Sequence, residues 1–203
     1  MAKVVYIDNA GALQDRGVHT GVLDAHMADF MMYPRVGTYI YPVPISNIAN
    51  VNPTGDRLYG FPFFLARAVT IDRLGLAIVT VEAGKSVRLG IYASLATQKP
   101  GALILDAGVV SVAAGNFVEI VGLSQSLTKG LYFLAMLSDC TGVFETKTLT
   151  LAWAQLEVAG SNYGAFRAWF IAQGYGALPD PFGAGAATSW DGCTPIPRIL
   201  SQD

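Results

Sequence analysis

Residues 70–94 constrain the fold most, because they contain two runs in which apolar and polar side chains alternate. The apolar positions on one side of the two runs are Leu74, Leu76 and Ile78, then Val87, Leu89, Ile91 and Ala93. Successive side chains of a strand point to opposite faces, so each run can bury one face. The polar break between the runs, from Glu82 to Lys85, contains Gly84 and has the length of a hairpin loop. The pattern therefore predicts a β-hairpin at the centre of a β-sandwich.

Short apolar segments separated by Gly and Pro turns continue along the chain. Residues 58–65 form one segment, in which Gly60 and Pro62 indicate a bulge or an edge strand. Residues 131–137 are apolar on both faces, so a second sheet or another subunit should cover each face. Residues 195–200 read as a last strand. We predict an all-β fold, a jelly-roll-like antiparallel β-sandwich spanning residues 45–203.

Residues 1–44 have a different character and lack a core of their own. Asp24 caps a predicted short helix at residues 25–32, and residues 36–44 are rich in strand formers but end in two prolines. Segments of this length and kind are usually held by partners. We therefore predict an extended N-terminal arm, residues 1–44, that lies on a neighbouring subunit or attaches the sandwich elsewhere.

The composition indicates that the protein hides much of its surface. Hydrophobic residues make up 52% of the 203 residues and charged residues 14%, against an ordinary charged share of roughly a quarter. An oligomer or larger assembly is the natural consequence. The net charge of -2 argues against binding to nucleic acid. No apolar run reaches the ~18 to 20 residues of a membrane span, and no signal peptide is recognisable.

Motifs for phosphate and metal binding are incomplete. The segment from Ala83 to Ser86 resembles the end of a phosphate-binding loop, but Val79 stands where the first glycine is needed and a strand pattern follows. His19 and His26 are the only histidines. The nearby Gly17 and Gly21 argue against one continuous helix that would place both histidines on the same face. We predict no metal site and no cofactor.

Catalytic patterns are absent in the same way. The segment around Ser124 lacks the second glycine of a nucleophile elbow, and neither Cys140 nor Cys193 has a motif that marks a nucleophile. The two cysteines make no disulfide framework, so reduced thiols are expected. The loop carboxylates that a glycosidase pair would draw on are Asp106, Glu119, Asp139, Glu145, Glu157, Asp180 and Asp191, with no spacing that singles out two of them. We predict no catalytic residue.

Aromatic side chains near predicted loops are the better candidates for contacts. Such rings bury area in subunit interfaces and stack on sugars. The candidate residues for oligomer or glycan contact are Tyr39, Tyr41, Trp153, Trp169 and Trp190. A place in the core or in a subunit contact is favoured over glycan binding.

A set of short segments resembles a β-sandwich domain of tailed-bacteriophage virion proteins. The segments are DRLG at residues 72–75, VRLGIY at 87–92, PG at 100–101, LDAG at 105–108, LTKGLYFL at 127–134, LPDPFGAGA at 178–186 and PRIL at 197–200. The likeness spans roughly residues 58–200 and is typical of tail-fibre, spike and decoration proteins.

The resemblance implies a non-enzymatic virion component, usually a homotrimer, assembled in the host cytoplasm with other virion proteins. It implies no catalytic residue. Among the matched residues, Arg73 and Arg88 are expected on neighbouring strands, each able to pair with a carboxylate such as Asp72 or Glu119. The alternative function is a glycan-binding module that contacts host surface polysaccharide. A third hypothesis is an enzyme acting on polysaccharide, which would need a carboxylate pair in a groove.

Overall fold

The computed structural model describes residues 5–7, 13–15, 36–39, 45–141, 143, 145–151, 168–189 and 195–202. The strands in this part of the chain are β1 Val5–Ile7, β2 Leu13–Asp15, β3 Ile45–Val51, β4 Arg57–Leu65, β5 Val69–Thr80, β6 Ser86–Ser94, β7 Pro100–Ser111, β8 Asn116–Ile120, β9 Gln125–Leu127, β10 Gly130–Ser138, β11 Glu145–Leu151, β12 Ala168–Ala172, β13 Ala187–Ser189 and β14 Ile196–Gln202. The described residues contain no helix, and so none that could cross a membrane. The predicted all-β class is confirmed.

The chain divides into two compact units, Met1–Tyr33 and Pro34–Asp203. In the first unit, β1 pairs with β2 in antiparallel fashion, with Val5 opposite Asp15. The helix predicted at residues 25–32 lies outside the described residues. The second unit contains two antiparallel sheets.

Sheet 1 has the strand order β13-β12-β4-β10-β6-β7. Strand β10 is central, and its Leu134 is opposite Phe61 of β4 on one side and Ile91 of β6 on the other. The expected bulge at residues 58–65 is wrong, and so is the expected edge at residues 58–60, which pair with both β10 and β12; among the described residues, 61–65 pair with β10 alone. Strand β4 lies between β10 and β12, and its register with β10 runs from Leu58 to Leu65 without a shift.

Sheet 2 is built around β5. Leu74 of β5 is opposite Pro197 of β14 and also opposite Ile120 of β8, so these two strands flank β5 from opposite sides. Further along β5, Ile78 is opposite Thr146 of β11 and again opposite β8. Strands β14 and β11 therefore share one side of β5, with β8 and β9 on the other, and β3 extends the sheet beyond β11.

The predicted hairpin between β5 and β6 is wrong, because the two strands belong to different sheets. Their alternation is as predicted, and Leu76 and Leu89 are both fully buried. Two strands that each bury one apolar face can meet edge to edge within a sheet or face to face across a core, and alternation does not distinguish these arrangements. The connection at residues 81–85 spans the roughly 10 Å between packed sheets.

The main core lies between the sheets. Sheet 1 contributes the inward side chains of β4, β6 and β10, and sheet 2 those of β5, β8 and β14. The largest fully buried members are Tyr59, Phe61, Phe63, Ile71, Leu74, Leu76 and Leu89. This arrangement is the antiparallel β-sandwich expected from the sequence.

A second apolar cluster covers the opposite face of sheet 1. It joins the outward side chains of β6 and β10, among them Tyr92 and Phe133, to Leu178 and Phe182. We call residues 173–186, which contain these last two side chains, the outer strap. Strand β10 is thus buried on both faces as predicted, and the chain itself supplies the second cover.

Two glycines of sheet 1 make room for the outer strap. A Cβ atom on Gly90 would lie 2.3 Å from Leu178 Cδ1, and one on Gly60 would lie 3.1 Å from Phe182 Cε2. Larger residues would push the strap away from the sheet, so glycine is required here for close approach.

Candidate functional site

A group of charged side chains lies on the outer face of sheet 2, where a bulge in β5 gathers them. The register with β14 shifts after Arg198, which is opposite Arg73, so Asp72 has no partner of its own in β14. An extra residue of this kind interrupts the alternation of side chains. Its neighbours Ile71 and Leu74 are fully buried in the core. Asp72 and Arg73 therefore both occupy the outer face.

Two arginines neutralise two carboxylates in this group. Arg73 Nη1 lies 2.7 Å from Glu119 Oε1 of β8. Arg198 Nε donates to Asp72 Oδ1 at 3.1 Å, and its Nη2 also binds Asp72 Oδ2. Arg73 Nε lies 3.8 Å from the same carboxylate and links the two pairs. The hydrogen bond from Arg198 outweighs burial and lowers the pKa of Asp72, and it raises the pKa of Arg198.

Tyr39 joins this group from outside the named strands. It forms an isolated bridge with Arg198, and its hydroxyl donates a hydrogen bond to Glu119 Oε2. Its ring packs edge-on against the ring of Phe117, with centroids 4.9 Å apart and an interplanar angle of 74°. We call the surface formed by Gly75, Phe117 and Glu119 the tyrosine socket.

Gly75 explains why the socket has room for two rings. A Cβ atom on this residue would lie 2.1 Å from Phe117 Cζ, so the Phe117 ring rests directly over the β5 backbone. The alternation of side chains in β8 places Phe117 and Glu119 on one face. The sequence alone does not reveal the role of Gly75. The Phe117 ring reaches Gly75 diagonally across the two strands, and this contact depends on the register between β5 and β8.

The arginine pairing was predicted in part. Arg73 does pair with Glu119, as expected. Arg88 does not share its sheet, because β6 belongs to sheet 1. Its Nε donates to both carboxylate oxygens of Asp106, at 2.8 and 2.9 Å. That pair lies beneath the outer strap, where Leu178 N is 3.4 Å from Asp106 Oδ2.

Further polar contacts fasten the outer strap to sheet 1. Tyr92 Oη donates to the Pro179 carbonyl at 2.7 Å, and Leu103 N donates to Asp180 Oδ1 at 2.9 Å. Burial raises the pKa of Tyr92, and the nearby carboxylates of Asp106 and Asp180 act in the same direction. The tyrosine is therefore a neutral hydrogen-bond donor at ordinary pH.

A third polar group closes one end of the sandwich. The Glu82 carboxylate is mostly buried and accepts hydrogen bonds from Thr141 N at 2.9 Å and Thr141 Oγ1 at 2.5 Å. Burial, followed by the charge of Glu82, raises the pKa of the buried Cys140 thiol to about 11. Cys140 is a free cysteine. Cys193, the other cysteine of the sequence, lies outside the described residues.

The five aromatic candidates fall into three groups. Tyr39 is engaged with the socket as described. Trp169 is 8% exposed and belongs to the cluster beneath the strap, and Lys99 Nζ lies 5.0 Å from its ring centroid. Its ring therefore offers no open face for a sugar. Tyr41, Trp153 and Trp190 lie outside the described residues.

The candidate carboxylates that the structure describes are bound by groups of the fold itself. Besides the arginine pairs, the contacts are Ser86 N to Asp139 at 2.7 Å, Thr80 Oγ1 to Glu145 at 2.9 Å, and Leu103 N to Asp180 at 2.9 Å. Glu157 and Asp191 lie outside the described residues, as do His19 and His26. In the described part of the chain, no cluster of three or more metal-ligating side chains occurs.

Exposed apolar side chains lie on the elements around the tyrosine socket. Phe117 is 39% exposed despite its contact with Tyr39, and Val121, just after β8, is 57% exposed. Val36 and Leu200 are about half exposed, and each is adjacent in sequence to a residue that joins the 36–39 segment to β14, namely Gly37 and Ile199. Apolar side chains around a neutralised charged centre favour contact with protein.

Comparisons with protein-family models, curated proteins and solved structures find no match for this chain.

Proposed function

We propose that the chain is a non-enzymatic structural protein of a phage virion, of the tail-fibre, spike or capsid-decoration type. Its N-terminal arm, residues 1–44, would attach it to the particle or to neighbouring subunits, and the β-sandwich would be the exposed body. The observation that carries the proposal is that the described carboxylates of the sandwich are bound by other groups of the same chain. The described carboxylates from Asp56 to Asp180 bind arginines, hydroxyls or backbone N–H groups of the fold.

Catalysis by a carboxylate requires that it face a substrate with a matched protonation state. Asp72, Glu119 and Asp106 instead complete ion pairs that join neighbouring strands. Such groups stiffen a surface and set the register of strands. This use of charge favours a scaffold over a hydrolase.

The exposed apolar residues around the tyrosine socket favour assembly. A monomer would leave Phe117, Val121 and Leu200 in water, whereas a subunit contact on sheet 2 would cover them. The resemblance of residues 58–200 to virion proteins supports a homotrimer, with other virion proteins as further partners.

The test has two parts. Light scattering on the purified full chain should give the mass of a stable trimer. Antibodies against the protein should then label phage particles in electron micrographs of lysates from the source of the sequence. Absence of label on intact particles, with the protein present only in the soluble fraction, would contradict the virion role.

The glycan-binding alternative remains a prediction from the sequence. Trp169 does not favour it, because its ring is buried beneath the strap and Lys99. A glycan array of host surface polysaccharides tests it directly, and specific binding to one sugar class would support it.

A further inference from the structure

We propose that the tyrosine socket is a docking site between copies of this chain. Residues 36–39 of one subunit would occupy the socket of a second subunit in the assembled protein, in place of that subunit's own segment. The inference rests on the proposed structural role, since it names the contact through which the subunits join.

The socket is matched to a tyrosine in an extended segment. The ring of Phe117 receives the aromatic face, and Glu119 Oε2 accepts the hydroxyl hydrogen. The edge of β14 receives the backbone, because Gly37 N donates to the Ile199 carbonyl at 2.7 Å and Ile199 N donates to the Thr38 carbonyl at 3.2 Å. Phenylalanine would fill the ring position but would offer nothing to Glu119.

The segment that fills the socket is attached only at the surface. No residue from Val36 to Tyr39 belongs to either core cluster, and Val36, Gly37 and Thr38 are exposed. The contacts described above for Gly37, Tyr39 and the Thr38 carbonyl are made with β8 and β14. An identical segment from a second copy would meet the same atoms, which is the condition under which elements exchange between subunits at little cost.

The chain length limits where the second copy can lie. Strand β3 begins at Ile45 and pairs with β11 of its own sheet. Tyr39 precedes Ile45 by six residues, so an extended connection spans at most roughly 20 Å. The receiving socket must therefore lie close to sheet 2 of the donating subunit.

This restriction selects the face of sheet 2 as the contact. On the outer face of sheet 1 the strap covers β6 and β10, whereas on sheet 2 Phe117, which is part of the socket, and Val121 are exposed. The charges there are two arginines and two carboxylates that neutralise each other, so a second copy meets no net repulsion.

The direct test is cross-linking with isotope-labelled chains. A photoreactive residue replaces the exposed Val36, and equal amounts of ¹⁵N-labelled and unlabelled full-length protein are unfolded together and refolded. After irradiation, mass spectrometry identifies links between residues 36–39 and β14. The matched control carries the photoreactive residue at Val109, which is exposed on sheet 1.

Exchange between copies would make about half of the links to β14 mixed in isotope, because each subunit has an equal chance of either neighbour. The Val109 control should give no such links. The proposal would be overturned if, at every protein concentration, all links between residues 36–39 and β14 joined two peptides of the same isotope composition.

A complementing pair of variants gives a second test. Tyr39→Ala keeps the socket but lacks the tyrosine, and Gly75→Ala keeps the tyrosine but displaces Phe117. Native mass spectrometry should detect association in the mixture that neither variant shows alone. A mixture in which the two variants do not associate would count against exchange.

These outcomes are separable from the virion role. Labelled particles combined with single-isotope links would reject the exchange and keep the proposed function. Mixed-isotope links without labelled particles would do the reverse.

Discussion

Replacement of Phe182 by Ala should destabilise the protein strongly, because this ring anchors the outer strap on sheet 1. Phe182 is fully buried, and its ring packs edge-on against Tyr92 with centroids 5.1 Å apart and an interplanar angle of 85°. On the other side, it lies against Gly60, which has no side chain to fill a void.

The expected loss in the free energy of unfolding follows from the burial of Phe182 and from the rigidity of its surroundings, which cannot collapse into the cavity. Truncation of a buried Phe to Ala costs about 3 to 5 kcal/mol, with larger values where a cavity remains. Phe182 N donates to the Gly101 carbonyl at 2.9 Å and Leu103 N donates to Asp180, so hydrogen bonds hold the strap backbone at the ring and two residues before it. We expect a value in the upper half of that range.

The measurement is equilibrium unfolding in guanidinium chloride, followed by thermal unfolding. For a domain of this size each 1 kcal/mol lowers Tm by about 2 to 4 °C, so about 4 to 5 kcal/mol corresponds to a loss of roughly 8 to 20 °C. The matched control is Val109→Ala, which removes a half-exposed side chain from the edge strand of sheet 1. That variant should stay within about 0.5 kcal/mol of the wild type.

A loss below about 1 kcal/mol for Phe182→Ala would refute the reasoning. It would mean that the strap does not cover sheet 1 in solution. The outward residues of β10 would then need another cover, and the alternative from the sequence, a neighbouring subunit, would apply to sheet 1.

Three further predictions concern other sites. Gly90→Ala should cost about 1 to 3 kcal/mol in guanidinium unfolding, because its Cβ would lie 2.6 Å from the Leu105 carbonyl oxygen, a backbone atom of the paired strand; unchanged stability would contradict that geometry. The pKa of Asp72 is lowered in the folded state, so its bond to Arg198 stabilises the protein above about pH 4 and is lost as the pH falls through the folded pKa. The stability difference between wild type and Asp72→Asn should therefore shrink in acid, and a difference independent of pH would exclude this account. Cys140, with its pKa raised to about 11, should be alkylated at pH 8 far more slowly in the folded than in the unfolded protein, as peptide mapping can measure.

The sequence predicted which side chains are inward but not which strands are partners. The alternation of β5 and β6 is as expected, and Leu74, Leu76, Leu89 and Ile91 are buried. The error was the hairpin between β5 and β6. A strand's pattern reports the direction of its apolar face, while the choice between an edge neighbour and a facing neighbour depends on contacts distant in sequence.

The candidate site was predictable only where a residue's role is local. Glu119 was one of the two carboxylates, with Asp72, that the sequence offered as partners of the arginines, and Arg73 does bind it. The bulge at Asp72 could not be foreseen, because it is defined by the register of β14, which lies more than 120 residues further on. The seat that Gly75 provides for Phe117 depends on register in the same way.

The outer strap changes what the low charge content implies. A simple two-sheet sandwich buries one face of each sheet, whereas here the chain itself buries the central strand β10 of sheet 1 on both faces. Part of the apolar excess is therefore a requirement of the single chain, and composition alone overstates the surface that partners must cover. The outer face of sheet 2 keeps a neutralised ion-pair group with exposed apolar residues nearby. A subunit contact on this face would cover Phe117, Val121 and Leu200 without bringing unpaired charges together.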